Sequence, residues 1–474
     1  MALVAGVDCS TQSTKVLVVD ADDGHIVAAG AAGHPVEGTG GARETEPGEW
    51  EVSLADALGA CGRAEELAAI SVGGQQHGLV VLDGAGRPLR KAPLWNDTRA
   101  AADAARLVEE LGGPEECSKR VGSVLTSSFT IAHWAWLRRT EPSVAAATAK
   151  ILLPHDYLTY RLTGGYFTDR SDVSGTGWWA PRTESYDAGV LALVSVGEDM
   201  LPEVLAPEGS AGEVSTAASR QFGLRPGALV ACGAGDNAAA ALGLSFRPGE
   251  AAISLGTSGT VFAPSDSPAA DPSGTVTGFA SADGRYLPLA CTLNATVAVD
   301  QVATWLGLGR EDVAPSGEVV FLPWLGGERT PNLPAASGTL GGLRYDTDKR
   351  AILQAAYEGL VATLLEATAC LDRWAPQGPS APLLLIGGGA KGQVWQQTVR
   401  RLSGRPVLVV EAVELVAYGA AVQAAALLAG KSVREVAASW SIREGKLLEP
   451  VPRDEEAVAK VARWREAVLS WLSA

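Results

Sequence analysis

Leu3-Val4-Ala5-Gly6-Val7-Asp8-Cys9-Ser10-Thr11-Gln12-Ser13-Thr14-Lys15-Val16-Leu17-Val18-Val19-Asp20 reads as two short apolar strands, Leu3 to Val7 and Lys15 to Asp20, joined by a hydroxyl-rich turn. The turn Asp22-Asp23-Gly24 then leads into a third strand, His25 to Ala29, so the pattern predicts a β-meander. The tip of the first hairpin offers backbone N–H groups, the hydroxyls of Ser10, Thr11, Ser13 and Thr14, and Lys15, with Asp8 at its entry. Such a tip suits a polyphosphate and its metal: donors take the oxygens, and Asp8 holds Mg²⁺ directly or through water. A plain Ser/Thr turn, whose hydroxyls make local hydrogen bonds, has the same composition. The hairpin alone does not separate the two.

A partial echo lies in the second half. Ala251 to Leu255 is a strand, Gly256-Thr257-Ser258-Gly259-Thr260 a tight turn and Val261 to Ala263 the return strand. Two such hairpins in two halves of one chain suggest a duplicated lobe closing on a single phosphate chain. Between them, after the apolar run Ala228 to Ala231, comes Gly235-Asp236-Asn237 followed by an Ala-rich helix through Gly243. A strand that delivers one carboxylate through a glycine turn can hold a charge still at the floor of a cleft. A helix N-cap has the same appearance.

Other stretches suit a polyhydroxyl ligand. Ala69 to Val72 is a strand ending in Gly73-Gly74-Gln75-Gln76-His77-Gly78, with the strand Leu79 to Leu82 beyond. Amides and an imidazole both donate and accept, as sugar hydroxyls require. Trp95-Asn96-Asp97 places a flat apolar face beside an amide and a carboxylate, and Asp97 is also placed to N-cap a helix from Arg99 to Leu111. A helix from Thr130 to Arg139 puts Trp134, Trp136 and Leu137 in the core. Leu152 to Gly164 reads as a strand end, a short helix and a glycine stop, and Asp169 to Trp179 as a polar loop able to cover a site.

Composition limits what these stretches can mean. At 474 residues the chain has room for two large lobes. Its net charge of −16 argues against a broad surface for nucleic acid or an anionic membrane, so phosphate must be gripped locally. Six scattered cysteines without zinc-site spacing, no signal sequence and no apolar run of transmembrane length imply a cytoplasmic protein with reduced thiols. Gly387-Gly388-Gly389-Ala390-Lys391-Gly392 follows the strand Leu383 to Ile386 and fits a dinucleotide fingerprint. Too little chain follows for a full dinucleotide domain, and the same glycines suit a close approach to adenosine. The last helix, Glu455 to Leu472, is expected to dock through Trp464 and Trp471. Pro264 to Pro272 reads as an exposed loop, and Thr292 to Leu306 as an amphipathic helix.

Taken together, these residues resemble the FGGY carbohydrate kinases. The matching stretches are Gly6-Val7-Asp8 with Thr11 to Lys15, Gly74 to Gly78, Leu94 to Asp97, Leu153 to Leu158, Ser171 to Thr176, Gly235 to Ala239, Ser254 to Gly259, Phe321 to Trp324 with Gly327 to Pro331, and Gly387 to Ala390. They fall in the family's order over nearly the whole chain.

The resemblance implies an α/β, two-lobed actin-like (ribonuclease H-like) ATPase fold, with residues 1–245 as a sugar-binding lobe and 246–474 as a nucleotide-binding lobe whose last helix packs back on the first. It implies Asp236 as proton acceptor and Asp8 as the residue near the metal, with Gln76, His77, Trp95, Asn96 and Asn237 toward the sugar. Thr11, Ser13, Thr14, Lys15 and Gly256-Thr257-Ser258 would then face the phosphates, and Gly388-Gly389-Ala390 the adenine. The activity implied is ATP- and Mg²⁺-dependent phosphorylation of a ketopentose terminal hydroxyl, D-xylulose foremost. Ribulose, gluconate or glycerol are the alternatives within the family, and a non-catalytic sugar sensor the alternative outside it. A homodimer is suggested by the family alone. The chain departs from the family's pattern at Gln76, where some members carry methionine, and at His133 and His155, where lysine is common.

Overall fold

The computed structural model describes residues 2–333, 335–411, 414–440 and 443–472. The first seven-stranded sheet contains β1 (Leu3–Cys9), β2 (Ser13–Asp20), β3 (Ile26–Gly33), β4 (Leu67–Gly74), β5 (Ser210–Glu213), β6 (Leu229–Ala231) and β7 (Ala234–Gly235). The order is β5-β6-β4-β1-β2-β3, with β7 beside the end of β4. The meander is present: β1 runs antiparallel to β2 and β2 to β3, with Asp8 opposite Lys15.

The second seven-stranded sheet contains β8 (Ala251–Leu255), β9 (Gly259–Phe262), β10 (Thr277–Ala280), β11 (Tyr286–Thr292), β12 (Leu383–Ile386), β13 (Val407–Val410) and β14 (Gly445–Leu448). Its order, β10-β11-β9-β8-β12-β13-β14, repeats the first: an antiparallel meander whose leading strand pairs in parallel with a strand far along the chain. The suspected echo of the first hairpin is therefore a repeat of the whole sheet. This duplicated α/β plan is the two-lobed actin-like ATPase fold.

Eight helices matter to the site: α1 (Pro47–Cys61), α2 (Pro154–Thr163), α3 (Asp236–Leu244), α4 (Thr296–Leu306), α5 (Lys349–Leu371), α6 (Gln393–Ser403), α7 (Leu415–Ala429) and α8 (Glu455–Leu472). All seven residues of β1 are buried because helices cover both faces of its sheet, α1 on one and α7 on the other. A strand of continuous Val, Ala and Leu is what such two-sided burial requires.

α7 belongs by sequence to the second half yet packs against β1, β4 and α3 of the first lobe. It is apolar all round and buried along most of its length, as a core helix must be. Small residues let it approach very closely. At Gly419 there is no room for a Cβ beside the carbonyl oxygen of Ala239, nor at Gly6 beside that of Ala417. Such backbone-to-backbone packing allows only glycine.

The element that returns to the first lobe is thus α7 and not the last helix. α8 lies on α5, α6 and the strand Val320–Leu322 of the second lobe. Its buried stripe is centred on Ala457, Val461 and Val468. Trp464 packs its ring against Gly341, as expected, but Trp471 is 71% exposed, so the expected docking through both tryptophans is corrected for Trp471.

Four local expectations also change. Helix Ala101–Glu110 begins without a side-chain cap, because Asp97 is engaged elsewhere, accepting from the backbone N–H of Arg43 (3.0 Å) and from Arg99. The loop from Asp169 to Trp179 is buried, with a helical turn at Arg170–Val173 capped by Asp169. The stretch expected to be one helix from Thr292 is the end of β11 followed by α4. In Pro264 to Pro272 the residues Ser265, Ala269 and Asp271 are buried, so that loop is only partly exposed. Among the described residues no single helix is long and apolar enough to cross a membrane.

Candidate active site

The two sheets face each other across a cleft whose cavity measures ≈ 670 Å³. Its wall takes Asp8 and Lys15 from the first hairpin, Asp236 and Asn237 from the start of α3, Ser254 from β8, and Gly387, Gly388, Ala390 and Lys391 after β12. A cavity of this size suits a nucleotide.

Asp8 stands near the end of β1, 3% exposed, and its buried Oδ1 has no hydrogen-bond partner. Burial raises its pKa to about 6, against the lowering effects of the Ser10 hydroxyl and of Lys15. The Lys15 ammonium is 3.9 Å from Asp8 Oδ2 and 2.6 Å from Oε2 of Glu414, which precedes α7. Strand alternation decides the rest of the tip. Ser13 and Lys15 share one face of β2, while Thr14 points the other way, fully buried and 2.8 Å from the Ser53 hydroxyl on α1. Thr14 is therefore a structural residue, and its expected place among the nucleotide contacts is corrected. Thr11 accepts from Trp95 Nε1 (3.0 Å), joining the tip to the loop that carries Trp95, Asn96 and Asp97.

In the second lobe, the turn Gly256-Thr257-Ser258 is tied to the start of α4: Thr296 Oγ1 donates to the Gly256 carbonyl (2.7 Å). The cavity wall itself is reached by Ser254 rather than by the tip. Gly388 and Ala390 line the cavity. Gly389 does not, because it is pressed against Leu255 and Thr296, where a side chain has no room. Lys391, Glu411 and Glu414 also line the cavity. Lys391 belongs to the fingerprint-like stretch and Glu411 follows β13, and a reading that asked which charged residues stand at the ends of β12 and β13 would have found them.

Asp236 is the first residue of α3, not its cap, which is Gly235. Its Oδ1 accepts from the backbone N–H of Asn237 (2.7 Å) and from Asn237 Nδ2 (2.8 Å). Burial raises this carboxyl to about 7, with the Asn237 N–H opposing and the charge of Asp8 adding to the rise. A carboxylate tuned near neutrality is suited to general-base work.

Gln76 is buried and accepts from Asn237 Nδ2 (3.3 Å), which links the loop after β4 to the start of α3. His77 adopts φ +71°. Its Nδ1 lies 2.6 Å from the Gly175 carbonyl oxygen, which can only accept, so the proton sits on Nδ1 and Nε2 is left as an acceptor. The ring packs against Phe129 and Phe279, with centroids 4.9 and 5.7 Å away. Burial lowers it to about 4, which keeps it neutral. Trp95 is 38% exposed, and Asn96 Oδ1 is a buried acceptor without a partner.

The orphaned Oδ1 of Asp8, and the repulsion its charge exerts on Asp236, fit a cation held at Asp8. Among the described residues no three His, Cys, Asp or Glu side chains group into a metal cage. That donor set is one for Mg²⁺, which takes one or two carboxylates and completes its shell with phosphate oxygens and water.

A duplicated ATPase fold whose cleft joins a nucleotide-sized cavity to a carboxylate–amide–imidazole cluster defines a sugar kinase. Residues 3–243 match the N-terminal domain of the FGGY family of carbohydrate kinases and residues 251–428 its C-terminal domain. The chain belongs to the FGGY family of carbohydrate kinases, and ATP is the phosphoryl donor that this family implies. It is 57% identical to the xylulose kinase of Streptomyces coelicolor over 97% of this chain and 95% of that protein. It is 56% identical to that of Streptomyces rubiginosus, with the same coverage. The crystal structure of xylulose kinase from Bifidobacterium adolescentis superposes with a TM-score of 0.85, at 34% identity, covering 98% of this chain and 99% of that one.

Proposed function

We propose that the protein transfers the γ-phosphoryl group of ATP to the terminal hydroxyl of D-xylulose, giving D-xylulose 5-phosphate and ADP. The observation that carries this reading is the 56–57% identity to two xylulose kinases over 97% of the chain, joined to a cleft in which one raised carboxyl, Asp236, keeps an oxygen free of protein partners among the described residues. In this reading residues 1–245 hold the sugar and 246–474 the nucleotide, in a cytoplasmic enzyme.

Phosphoryl transfer passes through a loose transition state, so the protein aligns the reactants and spreads charge. Asn237 orients Asp236 and is itself held by Gln76 Oε1. The Gln76 amide N–H groups donate to the sugar, while His77 Nε2 accepts from a sugar hydroxyl. As the sugar O–P bond forms and the bond from the γ-phosphorus to the bridging oxygen breaks, the hydroxyl proton passes to Asp236 Oδ2. Asp8 would hold Mg²⁺, which when bound offsets phosphate charge. Lys15, Ser13 and Ser254 face the phosphates, with Gly388 and Ala390 on the adenine side. Phe129 and Phe279 around His77 keep water from the sugar end.

An ADP-release assay across D-xylulose, D-ribulose, D-gluconate and glycerol tests this. D-xylulose is expected to give the highest kcat/KM. A higher value for another substrate refutes the assignment, and no release above the sugar-free background favours the non-catalytic sensor.

A further inference from the structure

A buried charged cluster lies directly behind the turn that carries Asp236, and the mechanism above gives it no task. His155, on the first turn of α2, has no solvent exposure. Its Nδ1 is 2.9 Å from Asp172 Oδ2 and 3.1 Å from Asp156 Oδ1, and its Nε2 is 3.5 Å from Asp169 Oδ1. All three carboxyls are buried as well. Carboxylates taken out of water need a cation among them. Burial alone would lower the imidazole, but Asp156 and Asp172 overcome it and push it up to about 10.

The cluster reaches the catalytic turn by two routes. Asp169 accepts from the backbone N–H groups of Ser171 (2.6 Å) and Asp172 (2.9 Å), which shapes the helical turn Arg170–Val173. Ser171 Oγ in turn accepts from the backbone N–H of Gly235 (3.1 Å), the residue before Asp236. The ring itself makes the second route. It lies against Gly233 so closely that this position has no room for a side chain, while the Cβ and backbone of His155 crowd Gly74. On the other side, Gln423 Nε2 of α7 donates to the Gly233 carbonyl (2.8 Å). The turn 232–236 is thus clamped between a charged ring and an amide.

We propose that His155 is a positioning residue for the kinase reaction: as an imidazolium among Asp156, Asp169 and Asp172 it holds the 169–172 turn against Gly233–Gly235, and so fixes where the Asp236 carboxylate stands. This rests on the proposed role of Asp236. Burial already raises Asp156 to about 7 and Asp172 to about 6. Without the cation they take up protons, the ion pairs are lost, the clamp relaxes and the base moves. A displacement of ~1 Å at a reacting group costs on the order of 10²-fold in rate.

The charge is read in the wild-type protein. Long-range ¹H–¹⁵N spectra of its five histidines are expected to show His155, identified by its loss in His155→Lys, protonated on both nitrogens from pH 6 to 8. A neutral His155 at pH 7 overturns the proposal. Kinetically, His155→Gln is expected to lose at least about tenfold in kcat with KM for D-xylulose changed by less than about threefold. His155→Lys, which keeps the cation, retains about a third or more of kcat. Wild-type kcat in His155→Gln overturns the proposal, and so does a loss in folded His155→Lys as large as in His155→Gln. If His155→Gln does not fold, the spectra and His155→Lys against wild type still decide. Inactivity of the wild type on D-xylulose strikes the substrate assignment instead, and the variants are then compared on the sugar it does phosphorylate.

Discussion

Asn237 donates twice to one oxygen of Asp236, from its backbone N–H at 2.7 Å and its side-chain amide at 2.8 Å, and leaves Oδ2 without a protein partner among the described residues. One oxygen is held and the other is presented. Asp236→Asn is therefore expected to fold, to bind sugar with wild-type affinity by calorimetry, and to lose turnover by about 10²–10⁴-fold. Turnover near wild type removes Asp236 as the base.

The raised pKa of Asp236 sets a pH signature. The base acts ionised, so kcat/KM for the sugar is expected to rise with pH along a limb centred near 7 and to level off above it. Stability runs the other way. Between the ordinary value of 3.8 and about 7 the folded protein keeps a proton that the unfolded chain has released, so this group's contribution to stability falls as pH rises through that window. Asp236→Asn lacks the term. Its melting temperature relative to wild type is expected to climb from pH 4 to pH 8, and a constant difference counts against the shift.

His77 is wedged between two phenylalanines with its Nδ1 proton committed to Gly175. His77→Ala is expected to raise KM for the sugar at least about tenfold while KM for ATP changes little. Because burial keeps the ring neutral, sugar affinity is expected to stay flat from pH 5.5 to 8. Equal effects on both substrates reject His77 as a sugar contact.

Glycines in two helices give opposite expectations for one substitution. Gly59 in α1 has open space where a Cβ would go, so Gly59→Ala is expected to stabilise by up to about 1 kcal/mol through helix propensity. Gly419 in α7 meets the Ala239 backbone, so Gly419→Ala is expected to destabilise by about 2 kcal/mol or more. Urea unfolding of both variants measures the contrast, and two shifts of the same sign contradict the packing described.

Both hairpins and most strands were legible in the sequence because a period-two or continuous apolar pattern and a polar turn are local properties. So was the company kept by Asp8, Gln76, His77 and Asp236, since short motifs in a fixed order carry that. What stayed hidden depends on partners far along the chain. Asp97 looks like a helix cap until Arg43, 54 positions away, takes its oxygen. Thr14 reads as a phosphate donor until α1 supplies Ser53 on the opposite face. Asp169 to Trp179 is polar by composition yet buried, because its side chains bond to segments such as Gly235 and Ala280, 64 and 106 residues downstream.

The return of α7 to the first sheet has a consequence for how the protein is made. During synthesis β1 to β7 emerge complete by residue 235, but the face of their sheet that α7 covers stays bare until residue 429 has been added. The ribosome therefore builds nearly the whole second lobe while the first still shows an apolar surface, a state open to capture by chaperones or by other nascent chains. A gene split between residues 245 and 246 would yield a first half lacking the helix that closes its core, so the two halves are units of architecture rather than of folding.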